Sequence, residues 1–148
     1  VLVTLAALVL LPTPWSGVVI AAPRVIEITG GDDMKYSITE IKAKRGEELL
    51  IRLKAVGKMP KVAMQHNFIL LIAKADPVAF SNAAALARDT NYNPPALKAQ
   101  VIAASGMVGN GETVELKFKA PAAPGKYPYV CTFPGHFISG MKGTLIVQ

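Results

Sequence analysis

The chain is poorest in the residues that most often do chemistry. Its 148 residues include one cysteine, two histidines and one tryptophan. A lone cysteine, Cys131, excludes an internal disulfide, and with it a small fold stapled by such bridges. Charged residues make up 18% and hydrophobic residues 51%, a balance that excludes general disorder. Acidic residues are the scarcer sign, ten against sixteen Lys and Arg, for a formal charge of +6. Such a surface favours anionic partners or membranes and speeds encounter with acidic proteins. The lysines are scattered, and there is no Arg-rich helix, zinc-finger spacing or aromatic RNA-binding signature, so no nucleic-acid partner is expected. No internal repeat or low-complexity tract appears, and the length suits one domain.

Charge is absent altogether from residues 1–23, and the first charged side chain is Arg24. Residues 1–11 form an apolar run, followed by Pro12, Pro14 and Trp15 and then by small and apolar residues up to Ala21 and Ala22. This pattern predicts that residues 1–22 are a secretory signal peptide, with the two alanines at its cleavage end, or a retained N-terminal membrane anchor. The two prolines would kink a spanning helix. Either reading exports the domain of residues 24–148 to a periplasmic or extracellular location, tethered to the membrane in the second case. An odd thiol is a liability in an oxidising compartment, and a metal bond is one way to protect Cys131.

From Arg24 onward, period-two alternation predicts strands over residues 25–29, 34–44, 48–54, 64–72, 98–104, 112–120, 126–133 and 143–148. A change of phase between Ile38 and Ile41 predicts a bulge in the second of these. Residues 106–111 read as a turn. An alanine-rich stretch, residues 77–88, reads as the one helix, with Pro77 in its first turn. The expected fold is all-β: an antiparallel Greek-key β-sandwich of seven or eight strands with one short helix. His66, Phe68, Leu70 and Ile72 should share one inward face, and Tyr127, Tyr129, Cys131 and Phe133 another.

Cys131 lies five residues before His136, and Met141 five residues after it. One loop between the last two strands can therefore present a thiolate, an imidazole and a thioether to one point. His66 would join them from a distant strand. Taken singly, a buried Cys is usually a small hydrophobe, a His on an apolar face a satisfied core residue, and a Met a space filler. Together they form the ligand set of a type 1 (blue) copper site: trigonal His₂Cys with a long, weak axial Met. Structural zinc sites usually use more cysteines and no Met.

Met64-Gln65-His66-Asn67-Phe68, Cys131-Thr132-Phe133-Pro134-Gly135-His136 and Met141-Lys142-Gly143-Thr144-Leu145 together resemble the azurin branch of the cupredoxins. The resemblance implies one mononuclear type 1 copper in an eight-stranded sandwich that carries single electrons. It implies His66, Cys131 and His136 as principal ligands, Met141 as axial ligand and the Gln65 carbonyl as a distant second axial oxygen. Asn67 matches a residue that ties the two ligand loops together. Three features depart from azurins. Four residues separate His136 from Met141, as in plastocyanins and auracyanins, where azurins have three. Gln65 replaces the usual glycine, and the azurin disulfide is absent. The partners expected are redox proteins such as cytochromes or membrane oxidoreductases. They would dock on an apolar patch of Met64, Pro134, Phe137 and Ile138, with Met107 near it, around an exposed edge of His136. Copper enzymes of this fold need further histidine-rich centres, which two histidines cannot supply. No enzyme is expected, and copper delivery or storage is the alternative.

Overall fold

The computed structural model describes residues 22–148. Apart from Ala22, the expected signal peptide or anchor lies outside the described residues. The described residues form ten short strands and one α-helix. The strands are β1 (Arg24–Gly31), β2 (Glu40–Ala43), β3 (Glu48–Val56), β4 (Gln65–His66), β5 (Ile69–Leu71), β6 (Val101–Ala104), β7 (Val108–Gly109), β8 (Thr113–Lys119), β9 (Gly125–Val130) and β10 (Lys142–Val147). The helix α1 spans Pro77–Ala85. One sheet has the order β1-β3-β8, the other β2-β10-β9-β5-β6, and β4 pairs with β7 as a small ribbon. The expected antiparallel pairing holds except at two places, where β1 runs parallel to β3 and β2 parallel to β10.

Alternation builds the core. Leu49, Ile51, Leu53 and Ala55 of β3 point inward and are at most 2% exposed. They meet Ile26 and Ile28 of β1 and, from the opposite sheet, Ile41, Tyr127, Tyr129, Leu145 and Val147. On the outer face Arg52 of β3 stands in register between Glu27 and Glu115 and forms ion pairs with both. β5 departs from alternation because both of its faces are covered, and Ile69, Leu70 and Leu71 are all fully buried. Its outer side packs under α1 through Phe80 and Ala84. Asp76 caps α1 by accepting from the backbone N–H groups of Val78 and Ala79 at 2.8 and 3.2 Å, a typical N-cap arrangement.

Several element boundaries differ from the sequence reading, each for a local reason. The strand expected over residues 64–72 is two strands, interrupted at Asn67 and Phe68. There the chain leaves its pairing with β7 and joins β6 and β9. Of residues 34–44 only Glu40–Ala43 is a strand. Met34 has φ 56° in a turn, Tyr36 makes a single bridge to Gly30, and residues 37–39 lie in no strand, so Ile38 and Ile41 differ in phase because β2 starts between them and not because a strand is bulged. The helix stops at Ala85 and a 3-10 turn follows at Arg88–Thr90. Pro94 and Pro95 open a second 3-10 segment, Pro95–Gln100, which delays β6 to Val101. The turn expected over residues 106–111 contains β7, and β9 ends at Val130, ahead of Cys131.

Candidate metal centre

At one end of the sandwich, β4 supplies His66, and the loop between β9 and β10 supplies Cys131, His136 and Met141. The donor atoms of His66, Cys131 and His136 all lie within 4.8 Å of one another. The Nδ1 atoms of His66 and His136 are 3.3 Å apart, and Cys131 Sγ is 3.4 Å from His136 Nδ1. All three side chains are sealed from water, with exposures of 1%, 0% and 2% in chain order. Met141 is fully buried, and its methyl packs beside the His66 ring. A Cβ placed on Gly30 of β1 would come within 2.7 Å of Met141 Cε and 3.0 Å of the His66 ring. Gly30 thus makes room for both side chains.

The loop reaches this shape through its own backbone. His136 N–H donates to Phe133 C=O, Ser139 N–H to Gly135 C=O, Gly140 N–H to Phe137 C=O and Met141 N–H to His136 C=O. Gly140, at φ 98°, ends this turn in a conformation that favours glycine. Cys131 N–H then donates to Met141 C=O at 3.0 Å and closes the loop at its base. Lys35, in the turn after β1, donates to the carbonyl of Ser139.

The two donor-bearing segments are tied by Asn67. Its Nδ2 donates to Thr132 Oγ1 at 2.8 Å, and its Oδ1 accepts from the Thr132 N–H at 2.9 Å. Its carbonyl accepts the hydroxyl of Tyr36. Asn67, Thr132 and Tyr36 are all buried. Burial holds the Tyr36 hydroxyl well above its usual pKa, so it stays a neutral donor.

Burial sets the protonation of the donors. Burial, with a smaller contribution from His66, lowers His136 to about 4, and burial lowers His66 against the weaker pull of Asp32 and Asp33. Both rings are neutral near pH 7, which leaves nitrogen lone pairs free for a metal. Burial pushes the Cys131 thiol up to about 12, against backbone hydrogen bonds from Asn67 and Phe133. A thiolate at that position therefore calls for a positive partner. Two neutral imidazoles and a thiol facing one point, with the Met141 side chain buried nearby, are soft and borderline donors that suit copper.

The remaining residues of the sequence reading fall in different places. Gln65 pairs with Gly109 in the ribbon beside His66. Met64 and Met107 are half-buried and Pro134 is exposed. Ile138 is 83% exposed. Two expectations are corrected. Phe137 does not belong to a surface patch: it packs with Phe80, Ile69, Leu71 and Val130 beneath α1, with Lys142 Nζ 4.6 Å from its ring centroid. His136 does not present an open ring edge: the residue is 2% exposed, and Phe133 and His66 pack beside it at centroid distances of 4.9 and 5.0 Å. Gly30, Tyr36 and Thr132 were not singled out from the sequence. Only the Gly30–Gly31 pair after an alternating strand hinted at a close approach.

The family model for copper binding proteins of the plastocyanin/azurin family matches residues 24–148. The chain is 39% identical over 125 residues to azurin iso-2 of Methylomonas sp., covering 82% of this chain and 95% of that protein. It is 36% identical over 130 residues to auracyanin-A of Chloroflexus aurantiacus, covering 86% of this chain and 76% of that one. The solved structure of the same Methylomonas azurin superposes with a TM-score of 0.74 at 36% identity, over 86% of this chain and 99% of that one. A cupredoxin sandwich with one converged His₂Cys cluster is what the fold and the site define. The chain belongs to the plastocyanin/azurin family, in its azurin branch, and copper is its cofactor.

Asn67→Ala removes both bonds to Thr132 and strands a buried N–H. It should cost about 2–3 kcal/mol of stability in urea unfolding of the metal-free protein; a loss below about 0.5 kcal/mol would show that the tie is not structural. Gly30→Ala should displace the Met141 methyl and change the visible spectrum of the copper-loaded protein at unchanged copper content. An unaltered spectrum would mean that Met141 does not influence the metal.

Proposed function

We propose that the chain is a mononuclear type 1 copper protein that carries single electrons between redox partners outside the cytoplasm. Its principal ligands are His66 Nδ1, His136 Nδ1 and Cys131 Sγ, with Met141 as a weak axial ligand. The observation that carries this reading is the convergence of three buried donors within 4.8 Å on two segments held together by Asn67. Copper, when bound, supplies a one-electron couple between Cu(II) and Cu(I). The protein supplies a donor set that changes little between the two states, because each donor is packed and its backbone is hydrogen-bonded. It also excludes water: donors that are 2% exposed or less leave no open position for a substrate. That enclosure supports a carrier over an enzyme. It also opposes the reading of copper delivery or storage, which needs ligands that release metal.

The distant second axial contact assigned to Gln65 rests on its place directly before His66. The docking surface in this reading is Met64, Pro134 and Ile138 on the outer side of the loop, without Phe137. A small apolar surface over a covered ligand suits the brief, limited contacts of redox encounters, which bury under about 1,200 Å². Partners of that kind are cytochromes or membrane oxidoreductases. Export rests on the uncharged stretch of residues 1–22, read as a signal peptide or anchor.

Cu(II) added to the full chain should give an intense blue thiolate-to-copper absorption band that disappears on reduction and is absent from Cys131→Ser. A pale spectrum with copper bound would remove Cys131 from the ligand set and the mechanism with it. Electron self-exchange should be fast while copper release is slow; the reverse would favour storage. Ile138→Glu should slow electron transfer to a cytochrome several-fold with the blue band intact, and an unchanged rate would remove Ile138 from the docking surface.

A further inference from the structure

The end of the sandwich opposite the metal carries a different surface. β1 runs from Arg24 to Gly30, which packs against Met141 and His66. Six residue steps of strand separate the two ends by roughly 20 Å. At the far end Ala22, Arg24, Lys44, Gly46, Glu47, Glu48 and Lys119 line an open depression of about 470 Å³. The turn after β2 is tied to the end of β8 by Gly46 N–H to Ala120 C=O and Ala120 N–H to Glu47 C=O. That turn carries Lys44 and Arg45. Val147, the last residue of β10, stands in register with both Ala43 and Gly125, which brings Lys126 to the same end. With Lys117, which also pairs with Glu48, six cations therefore meet two carboxylates here.

The carboxylates are the covered partners. Glu47 is 23% exposed, with Arg24 Nε at 2.6 Å and the Lys44 N–H at 2.8 Å. Glu48 is 27% exposed between Lys117 and Lys119, at 2.9 and 3.8 Å. The Lys119 side chain remains 72% exposed, and Lys44, Arg45 and Lys126 are exposed with no ion pair among the described residues. The four aspartates belong to other segments: Asp32 and Asp33 to the turn after β1, Asp76 to the cap of α1, and Asp89 to the following 3-10 turn. Ala22, on the rim of this depression, lies near the end of the stretch of 23 uncharged residues that opens the sequence.

We propose that this basic end is a docking surface for an anionic lipid bilayer, and that it holds the copper end turned toward the aqueous phase. Charge complementarity supplies the attraction, since each Lys or Arg near such a surface strengthens binding by about fivefold. The apolar stretch that ends beside this basic patch favours lipid over an acidic protein, because membrane binding grows with buried apolar area and with attraction to anionic lipids together. Docking at this end leaves the loop of Pro134 and Ile138 on the far side of the domain, open to a soluble partner.

The test is sedimentation of the full chain with vesicles of phosphatidylcholine alone or mixed with phosphatidylglycerol. Binding to the anionic vesicles should be at least tenfold tighter at low salt, and the difference should vanish at high salt. The double variant Lys44→Glu/Arg45→Glu should lose at least tenfold of that preference, with an unchanged circular dichroism spectrum. A charge-matched control, Lys74→Glu/Lys98→Glu, should keep it. Equal binding to both vesicles overturns the proposal, as does an equal loss in both double variants, which would reduce the effect to net charge. Binding to polyglutamate with none to anionic vesicles also overturns it and makes the surface a protein-docking site.

Discussion

Everything at the metal end depends on keeping polar donors dry while holding them still. Three groups that would each prefer water are buried at 0–2% exposure within 4.8 Å of one another. Without a cation that arrangement costs free energy. It persists because the surrounding backbone leaves the side chains nowhere else to go. The pair of bonds between Asn67 and Thr132 is the centre of this restraint. It joins the segment carrying His66 to the segment carrying Cys131, which lie 65 residues apart in the chain. Tyr36 fixes the Asn67 carbonyl from the opposite side, so a third segment enters the same network.

The same restraint explains why the strand around His66 is broken. An unbroken ladder over residues 64–72 would commit the Asn67 side chain to one face of one sheet. Instead the chain pairs with β7 up to His66, turns its polar side chain to Thr132, and resumes pairing at Ile69. The Phe68 N–H donates to Ser105 Oγ in the gap, so the interruption leaves that donor satisfied. The local loss of ladder is the condition for joining the two loops.

The sequence carried the donors more plainly than their supports. Spacing alone brought Cys131, His136 and Met141 to one loop, and alternation put His66 on an inward face. Both rest on local periodicity, which a sequence displays directly. Phe137 was misread because an apolar residue beside a predicted ligand fits a surface patch or a core equally well. The choice depended on α1 covering the outer face of β5 and β9, a tertiary fact that no local pattern encodes. The double cover likewise erased alternation in β5, where Ile69, Leu70 and Leu71 read as one apolar run. Gly30 was hidden for a different reason: a glycine's use lies in what approaches it, and Met141 lies 111 residues away in the chain.

The four residues between His136 and Met141 form a turn whose two ends are joined by a backbone hydrogen bond. The spacing alone leaves the thioether free to sit elsewhere. In the structure these residues sit in a tight turn through Gly135–Gly140, in which Ser139 N–H reaches back to Gly135 C=O and Gly140 closes in a left-handed conformation. Met141 N–H then returns to the carbonyl of His136, and the Met141 carbonyl accepts the N–H of Cys131. Both backbone groups of Met141 are thus bonded to residues that carry other donors. Its side-chain position is set by those two bonds and by the space at Gly30, and the outer part of the loop is left to vary. Ile138, 83% exposed at the crest of that turn, is where such variation reaches the surface. The bonds that fix Met141 hold the base of the loop, and the exposed crest is the part least tied to the buried donors.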